Sequence, residues 1–64
     1  MEIYLFIDDQ YVGQRHWPTL PRLGESMILL HPSGTYEVSK VVWHDKETGL
    51  TANVHLKHVE PLQS

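Results

Sequence analysis

Histidine is the residue type in this chain whose abundance first suggests chemistry. The 64 residues include five histidines, and imidazole is a common metal ligand. A zinc site needs three or four ligands that converge tetrahedrally, and a carboxylate such as Asp45 could supply one of them. No two histidines have the His-x-His spacing that places two ligands on one strand face, so we predict no metal site. The histidines are His16, His31, His44, His55 and His58.

Three aromatic side chains, Trp17, Tyr36 and Trp43, could form a binding surface. Aromatic rings that meet near an acidic group can hold a methylated lysine or arginine by cation–π attraction. Trp43 shares a strand face with Val41, which predicts a core position for it. Trp17 stands beside Pro18 at the mouth of a loop, which predicts exposure. We therefore take Trp17 and Tyr36 as candidate partner-binding residues.

Serine and aspartate patterns give little support for catalysis. Serine occurs at four positions, and none has the strand–nucleophile–helix context of a hydrolase. Asp8 and Asp9 are adjacent, so on a strand their carboxylates face opposite ways. The chain also has no glycine-rich loop of the kind that cradles a phosphate. We predict no catalytic residue and no cofactor, and an enzyme of this size would have to form its site between subunits.

Turn signals recur at short intervals along the chain, and no stretch has convincing helical periodicity, which is typical of a small β-barrel. We predict one domain over residues 1–64, an all-β SH3-like barrel of about five antiparallel strands with a short 3₁₀ turn within His58–Leu62. Gly13 predicts a bulge or a close approach in the second strand. The predicted strands are Glu2–Ile7, Tyr11–Trp17, Ser26–His31, Thr35–His44 and Leu50–Lys57. The predicted turns are Asp8–Gln10, Pro18–Glu25, Pro32–Gly34 and Asp45–Gly49.

The fourth strand breaks its own alternation of apolar residues. Tyr36 and Val38 have one parity, whereas Val41 and Trp43 have the other. An extra residue near Ser39-Lys40 would place all four on the same face. We therefore predict a bulge there, which would bend the strand as a small barrel requires.

Apolar residues on both faces of two strands predict self-association. In the first strand, Tyr4 and Phe6 lie opposite the face that carries Ile3 and Leu5. One barrel wall has one inner face, so the second apolar face needs cover, and closed symmetric assembly is the usual form. We take Tyr4 and Phe6 as further partner-binding candidates and expect a homo-oligomer. The run Met27–Leu30 repeats the two-sided pattern.

Composition narrows the choice of partner and compartment. Apolar residues make up 41%, and five basic against eight acidic residues give a net charge of −3. The basic residues are scattered rather than gathered in a stripe, so nucleic acid is an unlikely ligand. No apolar run approaches the length of a membrane span. Cysteine is absent, and the chain enters a β-like run directly after Met1, so we expect no signal peptide and a cytoplasmic location.

Several short segments together resemble the SH3-like small barrels, which include KOW, Tudor-like and chromo-barrel domains. In those families a Gly-Asp/Glu step opens a strand, and a long bent strand ends near an aromatic residue. The resemblance covers roughly Leu20–Leu62, and the glycine that KOW motifs place within the long strand is absent. The segments are Leu23–Met27, Gly34–Val38, Val41–Trp43 and Val54–Leu56.

The same region is similar to the type II dihydrofolate reductases, which are SH3-like barrels assembled as tetramers. Their Val-Gln-Ile-Tyr segment, which lines a shared pore, corresponds here to Val54-His55-Leu56-Lys57, where His55 and Lys57 replace the glutamine and the tyrosine. The chain also resembles small barrel proteins of unknown function from phages and mobile gene cassettes. The leading hypothesis is a binding or adaptor module that acts through protein–protein contacts. The alternatives are a nucleic-acid-associated barrel and an oligomeric enzyme with an intersubunit site.

Overall fold

The computed structural model describes residues 1–60, and in this part of the chain every regular element is a strand. The all-β prediction and the number of strands are thus confirmed. Among these residues there is no helix with the length and apolarity to cross a membrane. The strands are β1 (Glu2–Ile7), β2 (Gln10–His16), β3 (Ser26–Leu30), β4 (Ser33–Lys46) and β5 (Gly49–His58).

The five strands form one curled sheet in the order β2-β1-β5-β4-β3. Its half-barrel shape is consistent with a small SH3-like barrel. Three neighbouring pairs are antiparallel, whereas β1 and β5 are parallel, so the sheet is mixed rather than wholly antiparallel. A parallel pair needs a long connection, and here the whole of β2 to β4 lies between the two strands.

The predicted bulge in β4 is confirmed. The strand partners step from Val38 opposite Leu56 to Lys40 opposite His55, so Ser39 is the extra residue. The Ser39 hydroxyl donates a hydrogen bond to the His55 carbonyl oxygen at 3.2 Å. Because the bulge shifts the alternation by one residue, Val38, Val41 and Trp43 turn toward the same side.

The β1–β2 hairpin closes through Asp8 and Asp9, whose φ angles are 51° and 63°. Positive φ at both central residues is typical of the type I′ turn, whose twist matches that of a hairpin, and Asp tolerates it better than most residues. The pairing then steps from Leu5–Gly13 to Phe6–Tyr11, which leaves one extra residue in β2 beside Gly13. The bulge that this glycine predicted is present.

One face of the sheet carries the core. The inner residues of β1 and β5 are almost fully buried, because both strands lie at the centre of the sheet. Trp17 and Leu20, which follow β2, pack against this core from the open side. The buried cluster comprises Ile3, Leu5, Leu29, Tyr36, Val38, Val54 and Leu56.

The turns on both sides of β4 are shorter than the sequence-based prediction, and the β4–β5 turn begins only after Lys46, which pairs with Gly49. The β3–β4 turn is His31-Pro32, which contains a cis peptide bond, and Ser33 already pairs with Leu30. Gly34, predicted in the turn, is a strand residue that pairs with Leu29. At the C-terminus β5 continues to His58, and the 3₁₀ turn predicted within His58–Leu62 reaches residues 61 and 62, which lie outside the described residues.

Candidate binding surface

A cluster of four rings covers part of the outer surface of the sheet, on the side opposite the core. Its members are Tyr4, Phe6, Tyr11 and His55, and we call it the aromatic face. The Phe6 ring stacks on the His55 imidazole with a centroid distance of 5.0 Å. Tyr11 contacts the other side of the cluster, with its ring centroid 5.8 Å from that of Phe6 and 6.2 Å from that of Tyr4. The rings therefore hold one another in place.

Strand register explains why these rings meet. Phe6 lies opposite Tyr11 across the antiparallel β1–β2 pair and opposite His55 across the parallel β1–β5 pair. Tyr4 is two residues earlier on β1, so it shares the face of Phe6. The aromatic face thus spans three neighbouring strands, and its rings remain partly exposed, with Tyr11 at 56%.

Polar groups border the aromatic face at Tyr4. The Tyr4 hydroxyl donates to Glu2 Oε2 at 3.3 Å, and Gln14 Nε2 donates to Glu2 Oε1 at 2.9 Å. Partial burial, with the Glu2 carboxylate as the next cause, raises the pKa of the Tyr4 phenol above its usual value. Lys46 Nζ lies 5.8 Å from the centre of the Tyr4 ring, within cation–π range.

A polar cleft adjoins the aromatic face at His55. It lies between the β1–β2 turn and the β4 bulge, and it carries charges of both signs. His55 Nδ1 is 3.5 Å from Asp9 Oδ1, and the Asp9 side chain is 95% exposed. The Ser39 hydroxyl at the cleft is bonded to a backbone oxygen rather than to the imidazole. The cleft is lined by Asp8, Asp9, Ser39, Lys40, His55, Leu56 and Lys57.

Two of the four predicted binding residues lie in the aromatic face, and two do not. Tyr4 and Phe6 are on the outer surface, as their alternation with Ile3 and Leu5 predicts. The prediction for Tyr36 was wrong, because this residue is only 4% exposed and belongs to the core. The Tyr36 ring packs edge-on against the His58 imidazole at the end of β5, and its hydroxyl donates to the Ser33 carbonyl oxygen in β4.

The exposure of the two tryptophans is the reverse of the prediction. Trp17, predicted to be exposed, is half-buried, and Trp43, predicted to lie in the core, is exposed. Trp17 is half-buried against the core, because the chain after β2 turns across the open side of the half-barrel. Trp43 is 50% exposed, since it lies on the core side of β4 but beyond the part of the strand that β3 covers. Together with Val41 and Leu23 it lines a shallow apolar groove against the 20–23 segment.

Sequence reasoning missed Tyr11 and His55. The position of Tyr11 was open to prediction, because a two-residue turn at Asp8 and Asp9 brings the start of β2 opposite the end of β1. His55 was not, because its contact with Phe6 depends on the parallel β1–β5 pairing between residues far apart in the chain.

Comparison with known proteins does not assign the chain to a family. The chain matches no protein-family model, and neither the curated proteins nor the solved structures contain a significant match to it. In the part of the chain that the structure describes, no three His, Asp or Glu side chains converge as a metal site would require.

Proposed function

We propose that this protein is a small binding module, rather than an enzyme, that acts through protein–protein contacts and self-association. The observation that carries the proposal is the aromatic face, a partly exposed cluster of rings that the core does not use. Aromatic side chains are enriched at protein interfaces, where rigid rings supply contact area at low entropic cost. The compartment that suits the cysteine-free chain is the cytoplasm.

The surroundings of the aromatic face favour a protein partner. An interface typically combines an apolar centre with a polar rim. Here the rings form the centre, and the polar cleft with Lys40 and Asp9 forms one side of the rim. Because both signs of charge are present, we expect the partner segment to carry aliphatic or proline side chains beside at least one charged residue.

The test is a selection of random-sequence displayed peptides on the immobilised protein, followed by NMR titration of the enriched peptides. We expect saturable chemical-shift changes in the rings of Phe6 and Tyr11. Tyr11→Ala should weaken the binding about tenfold, which corresponds to roughly 1.4 kcal/mol. The matched control is Leu50→Ala, which removes a side chain of similar exposure (50%) near the start of β5. Enriched peptides that bind equally well to Tyr11→Ala would contradict the proposal.

The alternative function is association with single-stranded nucleic acid. The stacking of Phe6 on His55, with Lys46 near the cluster, supports it, because bases stack on such rings. The net charge of −3 opposes it. Fluorescence anisotropy with a labelled oligothymidylate distinguishes the two functions, since salt-sensitive binding that Tyr11→Ala abolishes would favour nucleic acid over a protein partner.

A further inference from the structure

Strand β3 forms one end of the sheet and pairs only with β4 among the described strands. One row of its backbone N–H and C=O groups therefore has no neighbouring strand within residues 1–60. Proteins usually protect such an edge with charged residues, proline or a bulge. The β3 sequence Ser-Met-Ile-Leu-Leu has none of these, and its ladder with β4 is regular.

The outer side chains of β3 are the most exposed large apolar groups in the described part of the chain. Ile28 and Leu30 are each 81% exposed, whereas Leu29 between them is buried at 7%. Their exposure follows from strand alternation, because Leu29 uses the inner face. An uncharged strand end with two exposed aliphatic side chains is a surface that favours pairing with another strand.

We propose that β3 of a second copy of this chain pairs antiparallel with β3, about a two-fold axis at Ile28. A two-fold axis perpendicular to the sheet requires a residue to lie opposite its own copy. Ile28 is the centre of the strand, so this register is the one that pairs all five residues. The two sheets then join into one ten-stranded sheet through a shared edge of about 17 Å.

The side chains fit this register on both faces. On the outer face Ile28 meets Ile28 of the second copy, with both Leu30 side chains as diagonal neighbours. On the inner face Met27 lies opposite Leu29. At each end Glu25 lies opposite His31 of the second copy, so an acidic group meets an imidazole. A register centred on Leu29 would instead place Ser26 opposite Pro32, which has no N–H to donate.

The choice of a second copy as the occupant rests on this self-complementarity. The strand has no charge that would select a charged partner, and its two flanks offer an acid and a base that an identical strand matches. The inference deepens the self-association within the proposed function. Its surface is β3, whereas the proposed partner surface is the aromatic face on β2, β1 and β5, so either proposal can fail alone.

Sedimentation velocity of the full chain over a range of concentrations tests the inference, and we expect a concentration-dependent dimer. Ile28→Lys and Ile28→Glu should each weaken the dimer about a hundredfold or more, because two like charges then meet at the axis. An equimolar mixture of the two variants should restore a dimer, since opposite charges then face each other. Because Ile28 is 81% exposed, both variants should keep the β-sheet circular dichroism spectrum.

The controls separate this interface from others. Leu50→Lys places the same charge on an exposed apolar residue near the start of β5 and should leave the dimer intact. Tyr11→Ala should also leave it intact, whatever it does to partner binding. A wild-type chain that stays monomeric at every concentration would overturn the inference. So would dimers of Ile28→Lys as tight as those of the wild type, or single variants that are monomeric but do not form a dimer when mixed.

Discussion

The two edge strands of the sheet, β2 and β3, each have a row of backbone groups with no neighbouring strand within residues 1–60, and they differ in how that row is protected. Strand β2 is interrupted by a bulge beside Gly13, and it carries Arg15 and His16. Strand β3 is shorter, regular and uncharged, and it exposes two aliphatic side chains. A bulge and a charge both discourage another strand from pairing, so β2 has protection on its own chain that β3 lacks.

The difference indicates at which edge the sheet can pair with a further strand. The two edges come close at one point, where Arg15 Nη2 donates to the His31 carbonyl oxygen. Within residues 1–60 they form no backbone ladder with each other, which leaves the half-barrel open between them. An added strand at β3 would meet a regular, uncharged strand, whereas an added strand at β2 would meet the bulge.

The largest expected effect tests whether the core side chain of β3 contributes more to stability than that of β2. Leu29→Ala should lower the free energy of unfolding by about 2–5 kcal/mol, because Leu29 is buried among core side chains. Val12→Ala, on half-buried Val12 of β2, should cost roughly 1 kcal/mol. Urea denaturation in an Ile28→Lys background measures both, since we expect that background to be monomeric. Equal costs at the two edges would remove the contrast between them.

A second pair of variants compares glycines beside the two edges. Gly34, opposite Leu29 of β3, has φ +144°, and an added Cβ would lie 3.3 Å from both His58 Nε2 and the Tyr36 hydroxyl oxygen. Gly34→Ala should therefore cost about 1–3 kcal/mol. In β2 the Cβ of Gly13→Ala would meet only the end of the Arg15 side chain, at 3.0 Å, which can move.

We expect Gly13→Ala to change stability by less than about 1 kcal/mol, because the lower entropy of the unfolded chain offsets the displacement of the Arg15 guanidinium. Thermal unfolding of both variants, followed by circular dichroism, makes the comparison. A Gly13→Ala variant as unstable as Gly34→Ala would show that the surroundings of Gly13 in β2 are packed as tightly as those of Gly34 in β4.

The smallest expected effect concerns the hydrogen bond from the Arg15 side chain to the His31 carbonyl oxygen, which connects the two edges. Arg15→Ala removes the hydrogen bond to the His31 carbonyl and should lower the free energy of unfolding by about 0.5–1 kcal/mol. Hydrogen exchange should become faster around the β3–β4 turn, with β1 and β5 unchanged. Arg22→Ala is the control, because its side chain is on the loop before β3. Identical exchange profiles for the two variants would mean that Arg15 does not tie the edges together.

Much of the fold could be predicted because the signals were local. Alternation placed β1 at Glu2–Ile7, and the parity break in β4 located the bulge at Ser39 within one residue. The same alternation assigned Tyr4 and Phe6 to the outer surface. These inferences succeed because side-chain direction in a strand depends on the backbone of a few neighbouring residues.

The failures share a cause as well. Trp43 and Val38 have the same orientation in β4, yet Trp43 is 50% exposed and Val38 is 1% exposed. Orientation is a property of the strand, but burial depends on which other elements cover it, and the chain leading into β3 bonds to β4 only as far as Val38, through Gly24 and Glu25. Tyr36 was mistaken for a surface residue, and Trp17 for an exposed one, for the same reason.

The sequence by itself determined that the chain forms five short strands, where β4 bends, and which side chains share a face. Only the tertiary structure decided that β1 lies parallel to β5, that His55 therefore stacks on Phe6, and that β3 lies at an edge of the sheet. The physical reason is the separation along the chain over which each kind of interaction acts. Alternation and turn geometry act over a few residues, whereas strand order depends on contacts between residues that are distant in the chain, whose pairing competes against the entropy of closing long loops.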